Sequence, residues 1–266
     1  DEKLMMQMTQ EIFGPQDPDV VARSNIITAA ENAPSGDKQV DLFALVQKFF
    51  VYFNNVIVDR RANPKDDLAT VIALGKIDGE LIPEKEAISY YAITATAGHD
   101  TTSSTAAGGL LALIQNPAEL AKLKADPSLI PQAIEEMIRW VTPVKHFMRT
   151  ATEDCELGGK AVKEGDGLAL FYWSGNRDAE VFDEPFAFKV DRANNPQVAF
   201  GNGIHLCLGL HLARMELRIL FTELLSRLES VELAGTPKNS TSVFVSGLKT
   251  LPIKFLARHR ASGGQE

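Results

Sequence analysis

Cysteine is nearly absent from this chain: only Cys155 and Cys207 occur among 266 residues. Two thiols so far apart in sequence give no disulfide framework, and a reducing cytoplasm is the expected compartment. Basic charge is also in deficit. Lysine and arginine total 27 against 35 aspartates and glutamates, for a formal net charge of -8, so no strong positive field exists to draw nucleic acid or an anionic membrane surface. No run approaches the ~20 apolar residues of a membrane span, and no basic-then-apolar secretion signal is present. Internal repeats and low-complexity stretches are missing too. What remains is an ordinary globular composition, 45% hydrophobic and 23% charged. It is expected to fold as a single domain over residues 1–266, monomeric by default, with small molecules or proteins as partners.

Apolar residues at three- and four-residue steps (Leu42, Leu45, Val46, Phe49, Phe50, Phe53, Val56) predict a packed helix within a mainly helical stretch 1–60. Pro34-Ser35-Gly36-Asp37 reads as a loop, Asn63-Pro64 ends a helix, and Asp66-Asp67 opens the next. Asp78-Gly79 centres a small hairpin. A long helix is expected from Glu84 to about Ile114, ended by Asn116-Pro117. Its middle opposes it: seven Thr and Ser residues between Thr94 and Thr105, with Gly98, Gly108 and Gly109, are mediocre or poor helix formers. Such conflict between propensity and position is typical of functional sites. Helices at 118–125 and 131–140 follow, then short strands over 144–173. A glycine-rich loop at 200–209 leads into a helix from Leu210 to about Leu228, and short strands end the chain.

The sharpest pattern is Phe200-Gly201-Asn202-Gly203-Ile204-His205-Leu206-Cys207-Leu208-Gly209. Glycines on both sides of one cysteine let the backbone approach a bulky planar group. The helix that starts just afterwards brings its positive end near the sulfur, which favours a thiolate. An isolated cysteine beside a turn is more often a buried structural thiol; here the spacing favours the ligand.

That run resembles the pattern Phe-Gly-x-Gly-x-His-x-Cys-x-Gly of the cytochrome P-450 family at every fixed position. The resemblance implies haem b (iron protoporphyrin IX) ligated by the Cys207 thiolate, within a pocket to which Phe200, Gly201 and Gly209 contribute. His205 and Arg149 match family positions that bind haem propionates. Ala97-Gly98-His99-Asp100-Thr101-Thr102 resembles the family's oxygen-activation segment. Small Ala97 and Gly98 leave room for a diatomic ligand, while Asp100 and Thr101 relay protons as the catalytic pair. A hydroxyl bonding back one turn would open the helix there. His99 is expected to pack or face solvent. Glu136, Arg139 and Arg192 match a buried structural triad; Gln197 stands where many family members carry His.

The likeness extends from about residue 40 onward and points to the bacterial terpineol-hydroxylating group. Family members are longer and the chain opens without Met, so an N-terminally truncated cytochrome P-450 fold is expected, mainly α with minor antiparallel β. The implied activity is insertion of one oxygen atom of dioxygen into a C–H bond of a small hydrophobic, terpenoid-like or aromatic substrate. Electrons would come from an iron–sulfur ferredoxin and its NAD(P)H-dependent reductase. A basic patch including Arg214 would dock the ferredoxin, and Thr94, Ala97, 145–147 and 243–245 would face substrate. Two other readings stand beside it: a haem-binding remnant without turnover and a peroxide-dependent hydroxylase.

Overall fold

The computed structural model describes residues 42–258, with side chains from residue 50 onward; the expected loop at Pro34–Asp37 and the helical pattern before residue 42 lie outside them. The chain forms two compact units that divide between His99 and Asp100. That division falls within one long helix.

In the first unit, helix α1 (Leu42–Ala62) packs on α2 (Leu68–Ala73). Its buried face carries Phe53, Ile57 and Arg60, whereas Phe50, expected inside, is exposed. The cause is register: Phe53, Ile57 and Arg60 recur at four- and three-residue steps on the stripe that meets α2. Asp67 caps α2 by accepting the Thr70 N–H at 2.7 Å. Strands β1 (Lys76–Ile77) and β2 (Glu80–Leu81) pair antiparallel about Asp78 and Gly79, whose φ values of 52° and 87° make the expected tight turn.

Helix α3 (Glu84–Gln115) runs without interruption through the residues that oppose it. Hydroxyls resolve the conflict by donating back along the helix: Thr94 to Tyr90 O at 2.7 Å, Thr96 to Ala92 O at 2.8 Å, Thr105 to Thr101 O at 2.8 Å. Close packing accounts for a glycine. A Cβ on Gly109 would lie 2.7 Å from Met137 Sδ, so helix α5 can approach only because none is there.

The second unit continues with α4 (Pro117–Ala125) and α5 (Ile130–Val141). Ile130, Ala133, Ile134, Met137 and Ile138 form the inward stripe of α5. Each large member contributes about 1.5–3 kcal/mol by leaving water. The helix stops at Thr142, in the left-handed region with φ 41°, ahead of Pro143. Strands β3 (His146–Thr150) and β6 (Gly167–Phe171) pair antiparallel, as do β4 (Cys155–Leu157) and β5 (Lys160–Val162). Helix α6 (Tyr172–Gly175) is short, and α7 (Leu210–Arg227) adds Leu217, Phe221 and Leu225 to the core. The C-terminal strands β7 (Leu228–Leu233), β8 (Lys238–Asn239), β9 (Leu248–Thr250) and β10 (Ile253–Ala257) pair as β7 with β10 and β8 with β9. Among the described residues the architecture is mostly helical with small two-stranded antiparallel sheets.

Candidate functional site

The loop before α7 is built around its backbone. Gly201 has φ 72°, which favours glycine, and a Cβ there would also stand a tight 3.3 Å from the Tyr172 hydroxyl. Gly201 N donates to Val198 O at 2.9 Å, Gly203 N to the Asn202 side chain at 2.7 Å, and Cys207 N to Phe200 O at 2.9 Å. His205 lies in a 3₁₀ turn spanning Gly203–His205, and Gly209 sits at the N-cap of α7. The loop therefore holds Cys207 in a defined place while leaving it exposed and out of any disulfide. Around the thiol, Ile204 is 97% exposed and Leu208 82%. Apolar side chains so displayed beside a thiol suit a large apolar ligand.

Beside this loop lies a cavity of about 280 Å³ lined by Arg149, Leu170, Phe171, Tyr172, Val198, Gly201 and Asn202. Strand pairing places Arg149 opposite Leu168, and its guanidinium donates to Met148 O at 2.9 Å. One cation among apolar walls matches a carboxylate carried on an otherwise apolar molecule. Sequence reasoning missed Leu170, Phe171, Tyr172 and Val198. No motif marks them; Leu170 and Phe171 lie on the strand paired with the one bearing Arg149, and Tyr172 and Val198 lie outside it.

Beneath the loop, Glu136 and Arg139 are both fully buried. Arg139 grips both Glu136 oxygens at 2.7 Å and donates to the carbonyls of Asn176, Pro185 and Ala187. Glu136 also accepts from Arg192 Nε at 2.9 Å, Lys189 N at 2.9 Å and Asn195 Nδ2 at 3.2 Å. Glu136, Arg139 and Arg192 thus meet in one network. Lys189 and Asn195 were not anticipated. The network ties α5 to the irregular 176–192 segment that feeds the cysteine loop. Arg177 extends it, stacking 4.0 Å over Trp173 and donating to Trp140 O at 2.7 Å.

Ala97, Gly98, Asp100 and Thr101 follow one another within little more than one turn of α3. Ala97, Gly98 and Asp100 are exposed and Thr101 half-buried. The helix does not open at Thr101.

Two basic residues are placed otherwise than sequence position implied. Lys145, counted among substrate-facing residues, donates its ammonium to Val141 O and Thr142 O, both at 2.8 Å, closing the end of α5. Burial, then the positive charge of Arg177, pushes its pKa down to about 8. Arg214, expected on a basic patch, is held by both Glu135 oxygens at 2.6 and 2.8 Å. Segments 143–147 and 244–246 are stitched together by Lys145 N donating to Phe244 O and Ser246 N to Pro143 O, both 2.9 Å. The exposed rings of Phe147 and Phe244 cross there at 89° and 5.3 Å.

Among the described residues, no three His, Cys, Asp or Glu side chains cluster as a protein-built metal cage. An iron held by Cys207 would have to bring most of its ligands with it. The donor set, the apolar surround and the neighbouring cation fit a porphyrin and define the class of haem-thiolate proteins.

The chain belongs to the cytochrome P450 family, whose sequence profile matches residues 5–257. It is 45% identical to cytochrome P450-terp of a Pseudomonas species over 96% of the chain and 58% of that protein. Linalool 8-monooxygenase of Pseudomonas putida is 36% identical over 82% of the chain and 54% of its own length. The crystal structure of CYP108D1 from Novosphingobium aromaticivorans superposes with a TM-score of 0.85 at 43% identity, over 96% of the chain and 61% of that structure. The chain thus spans roughly half to three fifths of these relatives. The mostly helical fold with small antiparallel sheets is the family's, and the expected likeness is met in cytochrome P450-terp. Haem is the family's cofactor.

Proposed function

We propose that this chain is the haem-binding, catalytic part of a monooxygenase that puts one atom of dioxygen into a C–H bond of a small hydrophobic substrate. The displayed Cys207 thiol, fixed from Phe200 and flanked by exposed Ile204 and Leu208, on a loop whose Gly201 and Asn202 line a cavity with Arg149, carries the reading. Cys207 Sγ would hold the iron, with Arg149 and His205 on the propionates and Phe200, Gly201 and Gly209 shaping the loop. When bound, haem supplies the redox chemistry by which dioxygen is reduced and cleaved. The chain's residues do the rest. Ala97 and Gly98 keep a helix surface small where substrate and dioxygen must fit. The Asp100 carboxylate and the Thr101 hydroxyl pass protons inward from solvent, while the apolar walls exclude bulk water. Two protons and two electrons accompany each turnover, and the second oxygen atom leaves as water.

A terpenoid-like ring is the substrate class suggested by the names of cytochrome P450-terp and linalool 8-monooxygenase. A ferredoxin with its NAD(P)H-dependent reductase is the proposed electron source, and the bacterial relatives support a cytoplasmic setting. No helix among the described residues is long and apolar enough to cross a membrane. Product formation over a terpenoid and aromatic panel is to be measured with dioxygen plus the reductase chain, and with peroxide alone. Hydroxylated product in the first arm, lowered at least tenfold by Thr101→Ala, is expected. Product from peroxide alone would make the protein a peroxide-dependent hydroxylase, and product in neither arm would reduce it to a haem binder.

A further inference from the structure

Behind the cysteine loop lies a second polar cluster, separate from the buried Glu136 network. Glu135 on α5 takes the Arg214 guanidinium through Nε at 2.6 Å and Nη2 at 2.8 Å, and accepts a third bond from Gln197 Nε2 at 3.2 Å. Gln197 turns its oxygen back to receive the Ala199 N–H at 2.8 Å. The plane of Arg214 lies 4.7 Å over the Phe200 ring. Phe200 is the residue whose carbonyl receives Cys207 N–H at 2.9 Å. A short path therefore runs from α5 and α7 to the thiol: Glu135 fixes Arg214, Arg214 holds Phe200 by stacking, and Phe200 fixes the backbone of Cys207.

We infer that Glu135, Arg214 and Gln197 are positioning residues for Cys207, clamping Phe200 and Ala199 so that the sulfur stays in place for the iron. The inference rests on Cys207 being the iron ligand. It separates Arg214 from a docking role, because Glu135 neutralises it and Phe200 covers one face. Glu135 and Arg214 are partly exposed, with side-chain accessibilities of 27% and 34%. As a stability element the pair is therefore weak. Its value would be geometric, since a bidentate fork restricts angle as well as distance.

The test uses the haem-loaded chain, reduced and exposed to carbon monoxide, and reads the partition between thiolate-type and cysteine-detached Soret bands. Arg214→Lys keeps the charge but loses the fork and the stacked plane; Glu135→Gln keeps the shape but loses the charge. Arg214→Lys is expected to raise the detached fraction about two- to fivefold, the scale set by weakening one cation–π contact, and Glu135→Gln about 1.5- to fivefold, the scale of one partly exposed ion pair. Glu223→Gln, which removes an exposed pair with Arg227 farther along α7, is expected to leave it unchanged. Thermal unfolding of the same samples separates this from a folding defect. An unaltered partition in both Arg214→Lys and Glu135→Gln, at any melting temperature, overturns the clamp while leaving Cys207 as ligand. Absence of the thiolate-type band in the unsubstituted protein removes the ligand assignment and the clamp together.

Discussion

Replacing Arg139 by Met tests how the charged network supports the site. Arg139 makes five hydrogen bonds, two to Glu136 and three to the carbonyls of Asn176, Pro185 and Ala187. The residue is 0% exposed, so water cannot replace those donors at little cost. Methionine would fill much of the volume but leave Glu136 leaning on Arg192, Lys189 N and Asn195, and would strand the carbonyls of Asn176 and Pro185, whereas Ala187 O keeps its bond from Arg192 Nη2 at 2.9 Å. Breaking one side of a buried ion pair costs about 3–5 kcal/mol. At about 2–4 °C per kcal/mol for a chain of this size, the melting temperature should fall by roughly 6–20 °C. Glu223→Gln breaks a solvent-exposed helix pair and should lower it by less than about 2 °C. Circular dichroism on heating, at matched haem saturation, measures both. Equal small shifts in the two variants would mean that burial does not decide the worth of the pair.

Gly109→Ala should destabilise the protein although alanine is the better helix former. Its Cβ would meet Met137 Sδ at 2.7 Å and Cγ at 2.8 Å, and overpacking of about 1–3 kcal/mol outweighs a propensity gain of about 1 kcal/mol; a raised denaturation midpoint in guanidinium would contradict this. Lys145 gives a pH signature. Its folded pKa of about 8 lies below the ordinary 10.5, so between those values the unfolded chain binds more protons and stability rises with pH. Below pH 8 both states are protonated and the slope vanishes. Lys145→Met should flatten much of the rise in denaturant titrations across that range, the remainder coming from Lys124, whose pKa burial also lowers, and an unchanged profile would sink the assignment.

Much of this was legible because local chemistry is decisive at particular residues. Asp78-Gly79 can hardly be anything but a tight turn, and Asn116-Pro117 stops a helix wherever it occurs. Glu136 and Arg139, three apart on one helix, face the same way, and both were expected to meet Arg192. Contacts carried by backbone groups or by unremarked polar residues stayed hidden. Lys189 joins the network through its N–H and Asn195 through an amide, and neither leaves a trace in residue type. Length and flanks rightly outweighed propensity in the middle of α3, but the expected opening is absent, since the hydroxyl-to-carbonyl bonds let threonine satisfy itself inside an unbroken helix. Lys145 and Arg214 show the same limit for charge. A cation reads as surface potential in sequence, and only the fold shows that a helix end or a carboxylate has already engaged it.

Haem-thiolate function in this chain depends on sulfur-to-iron ligation at residue 207. The measurement that addresses it most directly is the absorption spectrum of the haem-reconstituted, reduced protein under carbon monoxide, beside the Cys207→Ala variant. A thiolate-type Soret band that disappears with Cys207, while Cys155→Ala retains it, is the predicted result. A spectrum without that band, or one that survives the loss of Cys207, would contradict the assignment.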